Sequence, residues 1–520
     1  MSPPTNGCPF LKLHREDNIA VAKAPVAKAA EFQLEAGAAP MTTRDVIDLG
    51  HKVAIFDIAA GEPVRKFGQV IGFATEAISA GAWVHAHNLE AGDLSLDYAF
   101  GADVPPDPAT ITGRTFSGYR RDDGRAATRN YVGLISTVNC SATATKYVAE
   151  RIKNSVLADY PNIDGVVPLV HKAGCAMQYD GEDHRQLNRV LAGFARHPNI
   201  GAYLVLGLGC ETGQASFLVN NSGLVQLGGS NETGDPLPLI MNVQDQGGVA
   251  KTVERAVGVL QELLPVANSC QRVPIPVSEI MLATECGGSD GNSGVTANPA
   301  LGVASDLLVA HGGTTILGET PEIYGGEHLL TRRAVTRAVG EKLVERIRWW
   351  EQYTAKFGVK IDNNPSVGNK RGGLTTIYEK SLGAIAKGGS TALRNVYEYA
   401  EPVRTKGFVV MDTPGYDPAS VTGMVAGGAN VVVFTTGRGS CFGCKPVPTI
   451  KIATNTPMYD RMIDDMDIDA GRVLDGASVE QVGHEVFEKI VAVASGEKTK
   501  SEVQGIGDEE FCPWSIGPVL

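Results

Sequence analysis

With 43% hydrophobic and 20% charged residues among 520, the chain has the composition of an ordinary globular protein. Its length suits about two to four domains, because single cores stop growing at roughly 250 to 300 residues. A formal net charge of −12 with no offsetting basic stripe argues against nucleic acid as a partner, and no apolar run approaches the ~20 residues that span a bilayer. Small polar metabolites remain as the expected ligands. The N-terminus "MSPPTNGCPFLKLHRED" lacks a basic stretch followed by an apolar core, so no secretory signal is read there. A cytoplasmic location is expected, with the nine cysteines present as reduced thiols or metal ligands.

In chain order, residues 12–92 carry short β-forming runs separated by Ala-Gly-Glu and Ser-Ala-Gly turns, which predicts a small, mostly β domain. Prolines and aspartates without periodicity then mark a linker over 93–117. The remainder alternates strand-like runs such as "GAYLVLGLG" and "ANVVVFTTGRG" with helical stretches such as "TRRAVTRAVGEKLVERIRWWEQYTAKF". Nearly continuous apolar strands that end in glycine fit mostly parallel sheets covered on both faces. The expected fold class is therefore α/β, with one α/β domain over 118–270 and a second over 271–520.

The chemistry gathers where those runs end. Cys140 closes "YVGLISTVNC", Cys175 closes "LVHKAGC", Cys210 closes "YLVLGLGC" and Cys286 closes "MLATEC". An open α/β sheet brings such positions to one crevice, so the four thiols are read as a metal-binding set; the competing reading is that free cysteine packs in cores as a small hydrophobe. His85 and His87 in "WVHAHN" project from one face of a strand and suit a metal or a substrate hydroxyl, unless they are surface histidines on a domain edge. His171, four residues before Cys175, is a candidate general base or a satisfied core histidine. In "FTTGRGS", Thr436 and Arg438 sit at a strand terminus where backbone N–H groups and a guanidinium can meet a carboxylate. Asn369 and Lys370 occupy the turn-rich "NNPSVGNKRGG". Glu319 follows another apolar run in "LGETPEIYGGEH", and Lys380 lies in "YEKSLG". A C-x-x-C at Cys441 and Cys444 has no second pair to complete a zinc site.

Taken together, "HKVAIFDIAAGEPVRKFGQVIGFA", "WVHAHN", "GYRRDDGRAATRN", "HKAGC", "GLGCE", "ECGGSDGNSGVTANPALG", "NPSVGNKRGGLTTIYEKSLG" and "FTTGRGSCFGCKPVPTIKIATN" resemble the altronate and galactarate dehydratases, in order along nearly the whole chain. The resemblance implies that residues 12–92 form a β-clip domain of the SAF type. It implies loss of water from a sugar acid to give a 2-keto-3-deoxy acid, with iron(II) as the expected ion and manganese(II) as an alternative. The histidine pair favours the altronate branch; a galactarate dehydratase or a related hydroxy-acid lyase is the alternative. Under this reading His171 or Lys380 takes the proton beside the carboxylate. Arg438 and the glycine-rich turns hold that carboxylate, while Asp290, Asn298 and Glu319 address hydroxyls. Glycine in the 287–294 stretch lets the backbone approach a small ligand, with Cys286 beside the metal. The expected partner is a small sugar acid, and a homo-oligomer is compatible with it. Two other classes remain: a sugar-acid sensor, for which no output element is visible, and a redox protein with an iron–sulfur cluster on the four thiols.

Overall fold

The computed structural model describes residues 7–35, 37–222, 224 and 239–517. The apolar runs form two parallel sheets, as their composition implies. Tyr131–Ser136 (β1), Gly165–Leu169 (β2), Ile200–Gly207 (β3) and Ile240–Asn242 (β4) pair in the order β2-β1-β3-β4. Side chains alternate along a strand. Val132 and Leu134 of β1 therefore pack against helices Asn139–Ser155 (α1) and Val249–Asn268 (α3), while Tyr131 and Ile135 face helix Glu182–Ala195 (α2).

The second sheet has seven strands. Met281–Cys286 (β5), Thr314–Leu317 (β6), Leu393–Tyr397 (β7), Gly407–Met411 (β8), Val431–Thr436 (β9), Thr449–Ala453 (β10) and Ile468–Asp469 (β11) pair in the order β7-β8-β6-β5-β9-β10-β11, all parallel. Helices Ala297–Ala310 (α4) and Val479–Ala494 (α7) cover one face. Helix Asp417–Ala426 (α6) covers the other and packs on α2 of the first sheet, so the two α/β units share one apolar core. There the chain closes to backbone contact: a Cβ on Gly193 of α2 would lie 2.4 Å from the Ala426 carbonyl oxygen.

The N-terminal unit is built from short antiparallel strands, among them Ile19–Ala22, Lys52–Ala54 and Trp83–Val84 in one sheet and Pro63–Lys66 with Gln69–Ala74 in another. Its core includes Leu382 from helix Ile377–Ile385 (α5) of the C-terminal domain, so the β unit is docked rather than tethered. The expected architecture, a strand-rich N-terminal domain before a large body with parallel sheets, is the observed one. One boundary differs: Thr115–Arg120 is a strand paired antiparallel with Arg272–Pro276, which places the last residues of the expected 93–117 linker inside a sheet. No helix among the described residues is long and apolar enough to cross a membrane.

Candidate active site

Each parallel sheet has one point where the chain reverses its direction of travel across the strands. From β5 the chain builds β6, β7 and β8 to one side, then returns to place β9, β10 and β11 on the other. The loops leaving adjacent strands at such a point diverge to opposite faces and leave a crevice at the carboxyl ends. Cys286 is the last residue of β5, and Glu319 lies two residues beyond β6.

Around Cys286 the side chains are buried and charged. Its sulfur lies 3.4 Å from Glu319 Oε1 and 3.6 Å from Glu322 Oε2. Among the described residues, these three form the group of candidate metal ligands that fall within 4.8 Å of one another. Glu319 is held at φ 60°, a left-handed conformation rare for a residue with a Cβ, and its backbone N–H donates to Thr413 Oγ1 at 2.6 Å. Lys380 Nζ donates to Glu322 Oε1 at 2.6 Å and to Asn364 Oδ1 at 2.9 Å. Lys387, in the turn that continues α5, pairs with Glu319. Beneath Cys286, Glu285 accepts from Ser420 Oγ at 2.7 Å through one oxygen, while its other oxygen is buried without a hydrogen-bond partner.

The electrostatics follow from burial and from an excess of acid. Four carboxyls, those of Glu285, Glu319, Glu322 and Asp417, face two ammoniums, those of Lys380 and Lys387. Burial, and then the nearby Glu319 charge, push Glu285 well above the ordinary carboxylate range and likewise hold Cys286 as a thiol. Burial raises Glu319 to about 7 against the pull of Lys387. Glu322 goes the other way: burial opposes its charge, but Lys380 and Lys387 overcome that and lower it. Lys380 is raised: burial would discharge it, but Glu322, Cys286 and Glu319 together outweigh that. Burial and Glu322 bring Asp417 up to about 6. A cavity of about 240 Å³, lined by Cys286, Glu322, Asn364, Asn369, Lys380 and Asp417 among others, opens onto this group.

Three family models match the chain end to end: the altronate/galactarate dehydratase SAF domain over 8–92, the D-galactarate dehydratase/altronate hydrolase second domain over 118–268, and the D-galactarate/altronate dehydratase C-terminal domain over 277–519. The chain belongs to this dehydratase family. It is a hydro-lyase of the sugar-acid dehydratase type. Relatives include the altronate dehydratase of Bacillus subtilis (strain 168), 36% identical over 95% of this chain and 96% of that protein, and the altronate dehydratase of Escherichia coli (strain K12), 37% identical over 95% and 96%. The galactarate dehydratase (L-threo-forming) of Escherichia coli (strain K12) is 37% identical over 96% of this chain and 95% of that protein.

Of the residues that this dehydratase's sequence singled out, Cys286, Glu319, Lys380 and Asn369 gather at the C-terminal crevice. The others separate. Cys140, Cys175 and Cys210 are exposed and lie at the ends of the first sheet, whereas Cys286 is buried; neither cavity that Cys286 lines includes them. The expectation of four thiols in one crevice is corrected accordingly, because two sheets each have their own switch point. His171 belongs to the first sheet, with Nε2 2.9 Å from the Ser136 carbonyl oxygen and Nδ1 accepting from Ala173 N–H at 3.2 Å. Both ring nitrogens are engaged and burial lowers the ring to about 4, so it is a satisfied histidine away from the Cys286 pocket.

Asp290 accepts from Thr454, Ser293 and Asn455, tying its loop to the one after β10 rather than reaching for a ligand. Asn298 bridges Gly383 O and Thr435 Oγ1, and Thr436 Oγ1 accepts from Gly439 N–H. Arg438 is exposed and lines neither cavity, and Lys370 is half-buried in the short helix Val367–Arg371. His85 stacks on Trp83 at 4.9 Å and lies 5.0 Å from His51; burial, then Lys52, lower it to about 3. His87 is 4.9 Å from the same tryptophan. This aromatic patch meets the C-terminal domain where His51 Nε2 lies 3.2 Å from Arg371 O.

Sequence reading missed the ions that join the β-clip to the site. Lys52 and Lys66 of the clip both bond Glu379 at 2.9 Å, next to Lys380 on α5, with all three side chains essentially dry. Burial opposes the Glu379 charge, yet the two lysines hold that carboxyl far below its ordinary range. The glycines of the 287–294 stretch serve the same junction. A Cβ on Gly291 would fall 2.0 Å from the Gly50 carbonyl oxygen of the clip, and one on Gly294 would fall 2.8 Å from Gly383 Cα on α5.

Proposed function

We propose that the substrate is a six-carbon aldonate such as altronate, and that Cys286, Glu319 and Glu322 hold a divalent transition ion, iron(II) or manganese(II). The donor set supports the ion in three ways. A thiol beside carboxylates favours a transition ion over magnesium. The carboxyls outnumber the ammoniums, and a buried Glu285 oxygen has no partner. Bound there, such an ion would polarise the departing hydroxyl and stabilise charge on the enolate.

The chain's own groups carry the proton transfers. Lys380 Nζ is the base for the proton beside the carboxylate, because it is the amine lining the cavity and Glu322 controls its pKa. As charge is drawn from Glu322 the hold on the Lys380 proton weakens, which moves the amine toward the range where a base works. Asp417, which lines the cavity and is raised to about 6, is the donor that turns the leaving hydroxide into water. The resulting enol becomes the 2-keto-3-deoxy acid. A cytoplasmic location, where the free thiols stay reduced, fits the same reading.

Similar identity to altronate and galactarate dehydratases leaves the branch to the charge of the cavity. Its lining offers one lysine against Glu322 and Asp417, so a second substrate carboxylate would meet acid rather than base, which is expensive without a partner. His85, neutral at about 3, supplies no cation. The observation that carries this reading is that one cavity joins the thiol–carboxylate group to Lys380. Turnover assays on a panel of aldonates and aldarates test it: altronate or a close aldonate is expected to lead galactarate in kcat/KM. A tenfold lead for galactarate, about 1.4 kcal/mol in transition-state binding, would overturn the branch while leaving the dehydratase chemistry intact.

A further inference from the structure

The first parallel sheet has a switch point of its own. Its chain runs from β1 out to β2, then crosses back to β3 and β4, so the crevice opens between β1 and β3. Cys140, Cys175 and Cys210 stand just beyond the carboxyl ends of β1, β2 and β3, and all three are exposed.

The loops that carry them are stitched together. Asn139 N–H donates to Ala173 O at 3.1 Å, and Gly213 N–H donates to Gly174 O at 2.9 Å. A Cβ on Gly174 would fall 2.1 Å from Thr137 O, so the loop of Cys175 lies directly on the loop of Cys140. Two buried polar side chains brace the arrangement from below. His171 spans Ser136 O and Ala173 N–H, while Glu211 accepts from Thr137 Oγ1 at 2.8 Å and from the N–H groups of Leu208 and Gly209 at 3.1 and 2.6 Å. Gln244 Nε2 lies 3.2 Å from the Cys210 sulfur, the kind of N–H contact that supports a thiolate. Cys140 is the second residue of α1, whose N-terminus has no side-chain cap, so the positive end of the helix dipole favours negative charge there.

We propose that Cys140, Cys175 and Cys210 bind an iron–sulfur cluster of the four-iron, four-sulfur type, in a site separate from the metal group at Cys286. Three exposed thiols on three separate loops suit a cluster, in which each can bind a different iron. Each thiol releases one proton on ligation, and the fourth iron takes a non-protein ligand. The proposal is independent of which sugar acid the enzyme uses.

The test uses the full chain, purified and reconstituted without oxygen with iron(III), sulfide and a dithiol that reduces half of the iron. About four acid-labile sulfides per chain and a broad visible absorption are expected. Cys286→Ser should keep both, and Cys140→Ser, Cys175→Ser and Cys210→Ser together should lose both. Should the triple variant fail to fold, alkylation of the wild type decides: the three thiols should be shielded in loaded protein and reactive after the cluster is stripped. Metal without sulfide, sulfide that the triple variant retains, or three thiols equally reactive in both states would each overturn the proposal.

Discussion

The two parallel sheets of this dehydratase reach their switch points by the same route and furnish them differently. In both, the chain crosses from a central strand to one side, returns, and leaves a cysteine just past the central strand: Cys140 after β1 and Cys286 at the end of β5. Cys286 is 2% exposed, lies under the clip and the loops around α5, and sits among carboxyls and lysines. Cys140, Cys175 and Cys210 face outward. Topology therefore fixes where a site can be, and what docks over the strand ends decides its chemistry. A crevice closed by another domain can hold shifted carboxyls and lysines for proton transfer, because desolvation perturbs them. One open to solvent offers soft ligands to a cofactor that carries its own charge.

The largest expected effect lies at the closed crevice. Glu322→Gln keeps the shape of the side chain but removes one charge from the proposed metal group and the ion pair of Lys380. A fall in kcat of roughly 10³-fold is expected, in the range that loss of a positioned acid–base system produces, together with weaker retention of the ion in dialysed protein. Sulfide content after reconstitution should be unchanged, since Glu322 belongs to the other sheet. Near-normal kcat would detach the carboxylate group from the chemistry.

Next in size is the junction that closes the crevice. Glu379→Gln leaves the Lys52 and Lys66 ammoniums buried against a neutral amide. Removing one partner of a buried ion network costs about 3–5 kcal/mol, so unfolding in denaturant should shift by that amount, with the clip and α5 affected first. Replacing Lys52, Lys66 and Glu379 together with apolar residues of similar size should recover much of the loss. A change below about 1 kcal/mol for Glu379→Gln would mean that water reaches the trio, as surface pairs are worth no more.

How far the sequence was legible follows the same division. Apolar runs ending in glycine announced the strands, and cysteines at their ends announced a crevice, though one rather than two, because strand composition and strand-end position are local properties. Assigning partners was not local. Lys52, Lys66 and Lys387 carry no signal in the sequence, and only the fold buries them. Asp290, Asn298 and Thr436 read as ligand groups, yet each is occupied by other groups of the protein, and a polar residue after a strand looks alike in either role. The glycines around Cys286 were expected to admit a ligand; at Gly291 and Gly294 they admit the clip and α5 instead. The four thiols were grouped because sequence shows that each ends a strand, not to which sheet the strand belongs.

The smallest expected effect concerns the brace beneath the open crevice. Burial, opposed by the contact to Ser136 O, lowers His171 from 6.5 to about 4 in the folded chain. Between those values the unfolded chain holds a proton that the folded one lacks, so His171 takes stability away as pH falls from about 6.5 to 4; above that window it adds no pH dependence. His171→Asn removes this titration along with two hydrogen bonds. The variant should be less stable than wild type at pH 7.5 and should lose less on acidification, by at most about 1.4 kcal/mol per pH unit. His197, buried in the same domain and also lowered to about 4, stays in both proteins and sets the residual slope. Chemical denaturation at pH 7.5, 5.5 and 4.5 measures the difference. Parallel curves would place the His171 ring in contact with water and remove it as a support for the thiol loops.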